Sequence, residues 1–210
     1  MKKLCLVLVS ILMLCVSAIG FAADTGSQIP TSTKISEISK TVWNGAVGKS
    51  SKIGVVYLNN AKTTYDDEID YKVLESIIKQ IKPTEHTLVD ATNVLNDLQA
   101  MGVNDISLAE RADIIDSLKN SGLDYAVIVQ VDPFVRKERM AMFRYTLEMT
   151  SSIPVKVVDV QGNKYLYNGK ITEFAKHGTA VGGVSNKSTV MKVLDLVAKD
   201  FEQIIARIPK

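Results

Sequence analysis

Residue types that carry nucleophilic or metal chemistry are sparse in this chain of 210 residues. Its two cysteines, Cys5 and Cys15, lie in the amino-terminal segment, and its two histidines, His86 and His177, are far apart in sequence. No Gly-x-Ser-x-Gly motif is present, so the turn that exposes a nucleophilic serine in α/β-hydrolases has no counterpart. A zinc site would need ligands assembled by the tertiary fold alone. We therefore predict no catalytic nucleophile, no metal and no cofactor.

Carboxylates offer the next opportunity for chemistry. The densest acidic cluster contains Asp66, Asp67, Glu68 and Asp70. Calcium prefers such oxygens, but the glycine and the terminal glutamate of a calcium loop are missing. Acidic side chains also stabilise the amino end of a helix through its dipole, which explains the cluster without a metal. A hydrolase with a carboxylate pair stays open as an alternative, because sequence spacing cannot place such a pair.

The glycine-containing segment from Gly178 to Ser188 precedes a predicted helix and superficially resembles a phosphate-binding loop. In a P-loop, Lys and Ser or Thr directly follow the glycine. Here three residues separate Gly183 from Lys187. We interpret residues 176–187 as a mobile loop between a strand and a helix, in which glycine lets the backbone adapt to a partner.

The most basic stretch contains Arg136, Lys137, Arg139 and Arg144. Strand spacing places Arg144, Thr146 and Glu148 on one wet face. A plain solvated surface competes with a docking face for an acidic partner or a phospholipid head group. The candidate partner surface consists of Arg144, Thr146, Glu148, Lys176, His177 and Lys187.

The first 22 residues are typical of a secretory signal peptide. Two lysines precede an apolar run over 4–19, and small residues at Gly20 and Ala22 suit a cleavage site. We expect cleavage near Ala22 and a periplasmic or otherwise extracytoplasmic location. Cys15 follows Leu14, where the lipoprotein cleavage pattern requires a small residue, so a lipid anchor is not expected. The apolar run is also short for a stable membrane span.

Removal of this segment changes the charge and the thiol content. Its two lysines are among the 25 basic residues, so 23 basic residues remain against 23 acidic ones and the rest of the chain is formally neutral. This balance argues against a nucleic-acid partner. Both cysteines are removed as well, so stability must come from a core rather than from disulfides.

A high content of Ser, Thr, Gly and Lys and a low apolar content predict a flexible leader over 23–50, with one weak helix near its end that packs Trp43. Apolar periodicity predicts a single mixed α/β domain over 51–210. Its element order is β-α-β-α-α-β-β-β-β-α in a mixed sheet. Strands are predicted over 53–58, 87–89 and 125–131, and the crossover helices between them build a parallel half. A capping box from Ser107 to Glu110 is predicted to start the third helix.

Strands over 141–149, 155–160 and 165–174 are predicted to form an antiparallel meander, in which Tyr165 and Tyr167 share a face. A final helix over 186–208 then docks on the sheet. Its apolar face consists of Val190, Val193, Leu194, Val197, Phe201, Ile204 and Ile205.

The helix over 108–118 and the segment Ser121-Gly122-Leu123-Asp124-Tyr125 leading into an apolar strand resemble the periplasmic α/β domains grouped around CsgG and the amino-terminal domain of TolB. The resemblance covers about residues 51–208. It implies an envelope accessory or assembly domain that acts through protein contacts. No counterpart of the long membrane-spanning hairpins of the channel proteins is visible.

We therefore expect an exported, non-catalytic cell-envelope domain that binds an envelope protein partner. Two alternatives remain: a structural subunit that self-assembles through exposed strand edges, with a homo-oligomer as its product, and the hydrolase considered above.

Overall fold

A computed structural model describes residues 31–43, 51–141, 144–180 and 183–209. The predicted signal peptide and both cysteines lie outside these residues. Within the described ranges the chain forms five α-helices and eight β-strands. In chain order they are α1 (Thr31–Trp43), β1 (Ser51–Asn59), α2 (Asp66–Gln80), β2 (His86–Asp90), α3 (Thr92–Ala100), α4 (Arg111–Leu118), β3 (Tyr125–Val131), β4 (Val135–Ala141), β5 (Arg144–Thr150), β6 (Ile153–Asp159), β7 (Lys164–Ile171), β8 (Phe174–Thr179) and α5 (Asn186–Ile205).

The larger sheet has five strands in the order β2-β1-β3-β6-β7. Strand β1 is parallel to both β2 and β3, while β6 and β7 continue the sheet in antiparallel pairing. Parallel neighbours need crossovers, and α2 and the α3–α4 pair supply them on opposite faces of the sheet. The predicted mixed α/β class, with a parallel half, an antiparallel half and a carboxyl-terminal helix, is confirmed.

Side chains along β1 and β3 point alternately to the two faces of the large sheet, and each face packs into its own hydrophobic core. Val55 and Val127 face one layer, made by α2 and α5, whereas Val56 and Ile128 face α3 and α4. Every apolar residue predicted to line the final helix is buried. Among the helices of the described residues, none has the length and apolar character needed to cross a membrane.

A second sheet of three strands, in the order β4-β5-β8, packs against α5. The sequence prediction lacked β4 and β8, and it placed residues 141–149 in the same meander as 155–174. In the structure β4 and β5 pair in antiparallel orientation, with Ala141 opposite Arg144. The strand β8 occupies Phe174–Thr179, so the first part of the predicted mobile loop is regular sheet.

The predicted capping box at Ser107 is wrong. Helix α4 begins at Arg111 with Glu110 as its N-cap, and no side chain caps it. The Ser107 amide and hydroxyl instead donate to Asp105 Oδ1, at 2.8 and 2.6 Å. A local side-chain turn thus uses the serine before the helix begins.

The prediction that Tyr165 and Tyr167 share a face is also wrong. The register of β6 against β7 shifts between Val157, which pairs with Tyr167, and Val158, which pairs with Tyr165. This bulge lets Tyr165 pack with the α3–α4 core while Tyr167 packs on the α2–α5 side. One inserted residue reverses the alternation of a strand.

Helix α1 lies within the predicted leader and packs on α2. Its Ile35 and Ile38 are 4% and 3% exposed and belong to the main core. The Lys34 ammonium donates to Asp67 and Asp70 of α2 at 2.7 and 2.6 Å. This part of the leader therefore contributes to the core, while the boundary between leader and domain stays a prediction.

Candidate partner-binding surface

The three-stranded sheet has one face that is open throughout and one that α5 covers along β5 and β8, while β4 is exposed on both faces. On β5, Leu147 and Met149 are 0% and 4% exposed and pack in the core beneath α5. The alternate residues of β5 therefore point away from α5. Because directly paired residues share a face, the register extends this outer face onto both neighbouring strands. The outer face consists of Val135, Lys137, Arg139, Ala141, Arg144, Thr146, Glu148, Thr150, Phe174, Lys176 and Gly178.

The outer face carries four basic side chains and one acid. In one row across the sheet Glu148 lies between Lys137 and Lys176, and its Oε2 is 3.1 Å from Lys176 Nζ. Thr146 lies between Arg139 and Gly178 in the next row. One carboxylate offsets only one of the four bases, so this face has a positive potential that suits an anionic partner.

The side chain of Arg144 lies across Gly178. A Cβ placed on Gly178 would be 3.2 Å from Arg144 Nε and 3.5 Å from Thr146 Oγ1. The missing side chain thus leaves room for the Arg144 guanidinium beside Gly178. A planar fork held in this way can bind a carboxylate with two hydrogen bonds.

One end of the outer face is apolar. Val135 and Phe174 flank Thr150 and are 64% and 53% exposed. The Lys176 ammonium lies 5.2 Å from the centre of the Phe174 ring, a cation–π contact that joins the apolar end to the basic rows. Exposed apolar side chains beside a charged patch are typical of protein contact surfaces.

Four of the six predicted site residues lie together on this face: Arg144, Thr146, Glu148 and Lys176. His177 does not, because it pairs with the buried Leu147 and so points toward α5, where its Nδ1 is buried without a hydrogen-bond partner among the described residues. Lys187 does not either, since it lies in the first turn of α5 and contacts Glu68 Oε1 of α2 at 2.5 Å.

The prediction of the surface missed Lys137 and Arg139 because it missed β4. Both were noted as part of a basic stretch, and their spacing of two residues is the signal that a strand would place them on one face. No glycine, proline or asparagine lies between Ala141 and Arg144, so the sequence carries no turn signature there that would have marked the end of a strand.

The acidic cluster at the start of α2 serves the fold. Asp66 Oδ1 accepts from the Thr63 amide and hydroxyl, at 2.9 and 2.7 Å. Asp70 accepts from Lys34, and also from Tyr57 and Asn59 at 2.9 and 2.6 Å. Burial, together with the charge of Asp70, raises the pKa of Tyr57. In the part of the chain that the structure describes, no group of three or more His, Cys, Asp or Glu side chains is arranged to hold a metal ion.

Two carboxylates lie near each other at the carboxyl end of β3. Gln130, which is 2% exposed, donates from Nε2 to Asp105 at 3.0 Å and to Asp132 at 2.7 Å. A glycosidase needs one carboxyl group whose pKa is raised so that it can act as an acid. Hydrogen bonds from Ser107 instead lower the pKa of Asp105. This pair therefore fits a structural clamp between β3 and the segment before α4.

A buried lysine is also engaged by the fold. Lys156 is 4% exposed, and its Nζ donates to the backbone oxygen of Ala109 at 2.7 Å. Burial lowers the pKa of this amine. The contact ties β6 to the segment before α4.

A cleft with a volume of about 350 Å³ lies between α1 and α2. Its walls include Ile38, Tyr71 and Glu37. Neither the outer face nor the Asp105–Asp132 pair lines it.

Comparisons with known proteins give similarity to solved structures only. No protein family model matches the chain, and no curated protein matches it. The lipoprotein GNA1162 of Neisseria meningitidis is 17% identical with a TM-score of 0.39, over 72% of this chain and 98% of its own. The hypothetical protein CT253 of Chlamydia trachomatis is 8% identical with a TM-score of 0.46, over 76% and 100%. The LpoB carboxyl-terminal domain of Escherichia coli is 18% identical with a TM-score of 0.31, over 69% and 98%.

These values are too low to support any argument about function. The resemblance to CsgG and TolB is not confirmed by them and stays a prediction. The functional inference therefore depends on the chain's own surface.

Proposed function

We propose that this chain is an exported, non-catalytic accessory domain of the cell envelope that binds a protein partner through the outer face of its three-stranded sheet. The observation that carries this proposal is the grouping of Lys137, Arg139, Arg144 and Lys176 around a single carboxylate, on a sheet whose other face packs on α5 along β5 and β8. A rigid sheet holds these charges in one plane, which favours specific recognition over diffuse attraction.

Three of the four bases on the outer face, Lys137, Arg139 and Arg144, form no ion pair within the described residues. Several charges elsewhere are engaged within the fold: Lys34 with Asp67 and Asp70, Lys187 with Glu68, and Lys72 with Asp195. On the outer face only Lys176 and Glu148 form such an ion pair. The remaining bases are therefore available to a partner's carboxylates.

Non-catalytic action agrees with how the reactive groups are used. The clustered carboxylates hold the loop before α2 and the helix α1, the buried amine of Lys156 holds a backbone oxygen, and the pKa of Asp105 is shifted away from that of an acid catalyst. Each of these groups has a structural task. We propose the unit from 51 to 210, with α1 packed on it, as the binding body.

A photo-crosslinking residue placed at Thr146, on the outer face, tests the proposal in cells. Its matched control is the same residue at Gln99, an exposed position of α3 on the far side of the large sheet. We expect a discrete protein crosslink from Thr146, absent from Gln99 and lost when Lys137→Glu and Arg139→Glu are added. Crosslinks of equal yield from both positions, or none from Thr146, would contradict the proposal.

A further inference from the structure

We infer that β4 is the site at which an acidic, extended segment of the partner protein adds as a further strand. This inference rests on the proposed function and names the partner's chemistry: carboxylates at alternate positions of a strand. It depends on the edge of β4, on the charges that this edge presents, and on the unfavourable pairing of β4 with itself.

The strand β4 is the edge of its sheet, with β5 on one side and no strand on the other among the described residues. All seven of its residues are exposed. In an antiparallel strand about half of the peptide groups point away from the neighbour, so these donors and acceptors on β4 are left for a partner. No proline interrupts the strand, and an added strand would satisfy these groups with regular hydrogen bonds.

The charges along this edge select an acidic partner. Lys137 and Arg139 lie on the outer face at alternate positions of β4. Residues directly opposite on a neighbouring strand lie about 5 Å apart, so glutamates at alternate positions of an added strand would meet both bases. On the other face of β4 the one acid, Glu138, forms an ion pair with Arg136. Met140, which is 82% exposed on that face, offers contact to an apolar residue between the glutamates.

A second copy of this chain fits the same edge poorly. Antiparallel pairing of β4 with itself over at least five of its residues, with the outer faces kept together, can be centred on Lys137, on Glu138 or on Arg139. The first and last place a base opposite itself, and the second places Lys137 opposite Arg139. Like charges directly opposite each other destabilise a sheet. A lipid surface would meet the bases but would leave the peptide groups of the edge unpaired. The edge therefore favours an acidic strand from another protein.

The test uses the chain from residue 23 onward and a synthetic heptapeptide, acetyl-Glu-Thr-Glu-Val-Glu-Thr-Glu-amide, at low ionic strength. Binding is followed by isothermal titration, and the protection of β4 amides by hydrogen exchange. One comparison peptide carries N-methyl groups at alternate amides, which keeps its charge but removes the donors of one edge. A second has lysine for glutamate. Vesicles of phosphatidylglycerol and phosphatidylcholine supply the lipid arm.

Protein variants separate the edge from general charge. The edge variant carries Lys137→Glu and Arg139→Glu. The α5 variant carries Lys192→Glu and Lys199→Glu, which make the same change of charge at exposed positions of α5. We expect saturable binding with protection of β4 amides, weakened at least about tenfold by the edge variant and less than about twofold by the α5 variant. The N-methylated and lysine peptides should not bind.

Equal binding of the N-methylated peptide would overturn strand addition, as would absence of binding by the parent peptide. Vesicle binding that depends on Lys137 and Arg139 without peptide binding would overturn it in favour of a lipid surface. If the peptide does not add as a strand but the Thr146 crosslink still forms, strand addition is wrong and the proposed function stands. If the crosslink does not form either, the proposed function and strand addition are both contradicted.

Discussion

The guanidinium of Arg144 lies over the backbone of Gly178, with Nε 3.2 Å from the position that a Cβ would occupy. This relationship joins β5 to β8 on the outer face and leaves space there for one of its four bases. Gly178 does not have a positive φ. Glycine is therefore needed there for the space that it leaves and not for its backbone conformation.

Gly178→Ala is expected to displace Arg144 without unfolding the protein, because the contacting atoms are the end of a flexible side chain. Binding of the crosslinked partner should weaken about threefold to tenfold, which corresponds to loss of one charge-assisted contact. Titration of the purified partner measures this effect. Gly183→Ala is the control, since nothing lies within 4 Å of its added Cβ. Equal affinity of the two variants would contradict the assigned role of Arg144.

Gly54→Ala is expected to destabilise the large sheet. A Cβ at this position would lie 2.4 Å from Leu123 Cδ1 and 2.8 Å from Ala91 Cβ, both in the buried core. Overpacking of this kind costs about 1–3 kcal/mol in the free energy of unfolding. Urea denaturation should show this loss, with Gly183→Ala close to the unmodified protein. A loss equal to that of the control would mean that the α3–α4 layer is loosely packed.

His86 is expected to make stability fall as the solution becomes acidic. Burial lowers the pKa of this imidazole below its ordinary value of 6.5, although the charge of Glu85 acts in the opposite direction. The stabilising contribution is therefore present above pH 6.5 and is lost as pH falls through the folded-state pKa. Urea denaturation at pH 7.5 and 5.5 measures the loss, and His86→Gln should reduce it. An unchanged pH dependence in the variant would show that His86 has no part in it.

Ile38→Ala is expected to loosen α1 from α2. The side chain is 3% exposed, and such truncations cost about 2–4 kcal/mol in a core that cannot collapse around the cavity. Hydrogen exchange should show faster exchange in α1, with β3 little changed because the helix opens locally. Thr33→Ala, at an exposed position of the same helix, is the control. Equal exchange rates in the two variants would contradict the docking of α1.

The predictable part of the fold is the part with strong apolar periodicity. Strand β3 begins and ends where the apolar run predicted, and each residue predicted to line the face of α5 is buried. In these elements burial on a sheet or a helix face is the only way to remove a long apolar pattern from water. In these elements the local apolar pattern and the burial that the whole fold imposes therefore agree.

The unpredicted part consists of polar strands. Strand β4 is exposed along its whole length, and β8 contains Lys176, His177 and Gly178 in succession. Such strands are specified by pairing with β5, which is a tertiary contact, and not by their own composition. The same reason explains why Lys137 and Arg139 were missed as site residues and why His177 was assigned to a mobile loop.

Bulges and side-chain turns limited the prediction in another way. The shift between Val157 and Val158 reverses the faces of Tyr165 and Tyr167, and the turn at Asp105 uses the serine that was expected to cap α4. Each change involves one or two residues, which no period of 2 or 3.6 can reveal.

The most direct test of the partner surface uses the partner protein that is identified by the crosslink at Thr146. Its affinity is measured for two charge-reversed forms of this chain. One carries Arg139→Glu and Arg144→Glu on the outer face, and the other carries Lys192→Glu and Lys199→Glu on α5. Isothermal titration should show binding at least about tenfold weaker for the outer-face form and nearly unchanged for the other. Equal affinities of the two forms would contradict the assignment of the outer face as the site of partner binding.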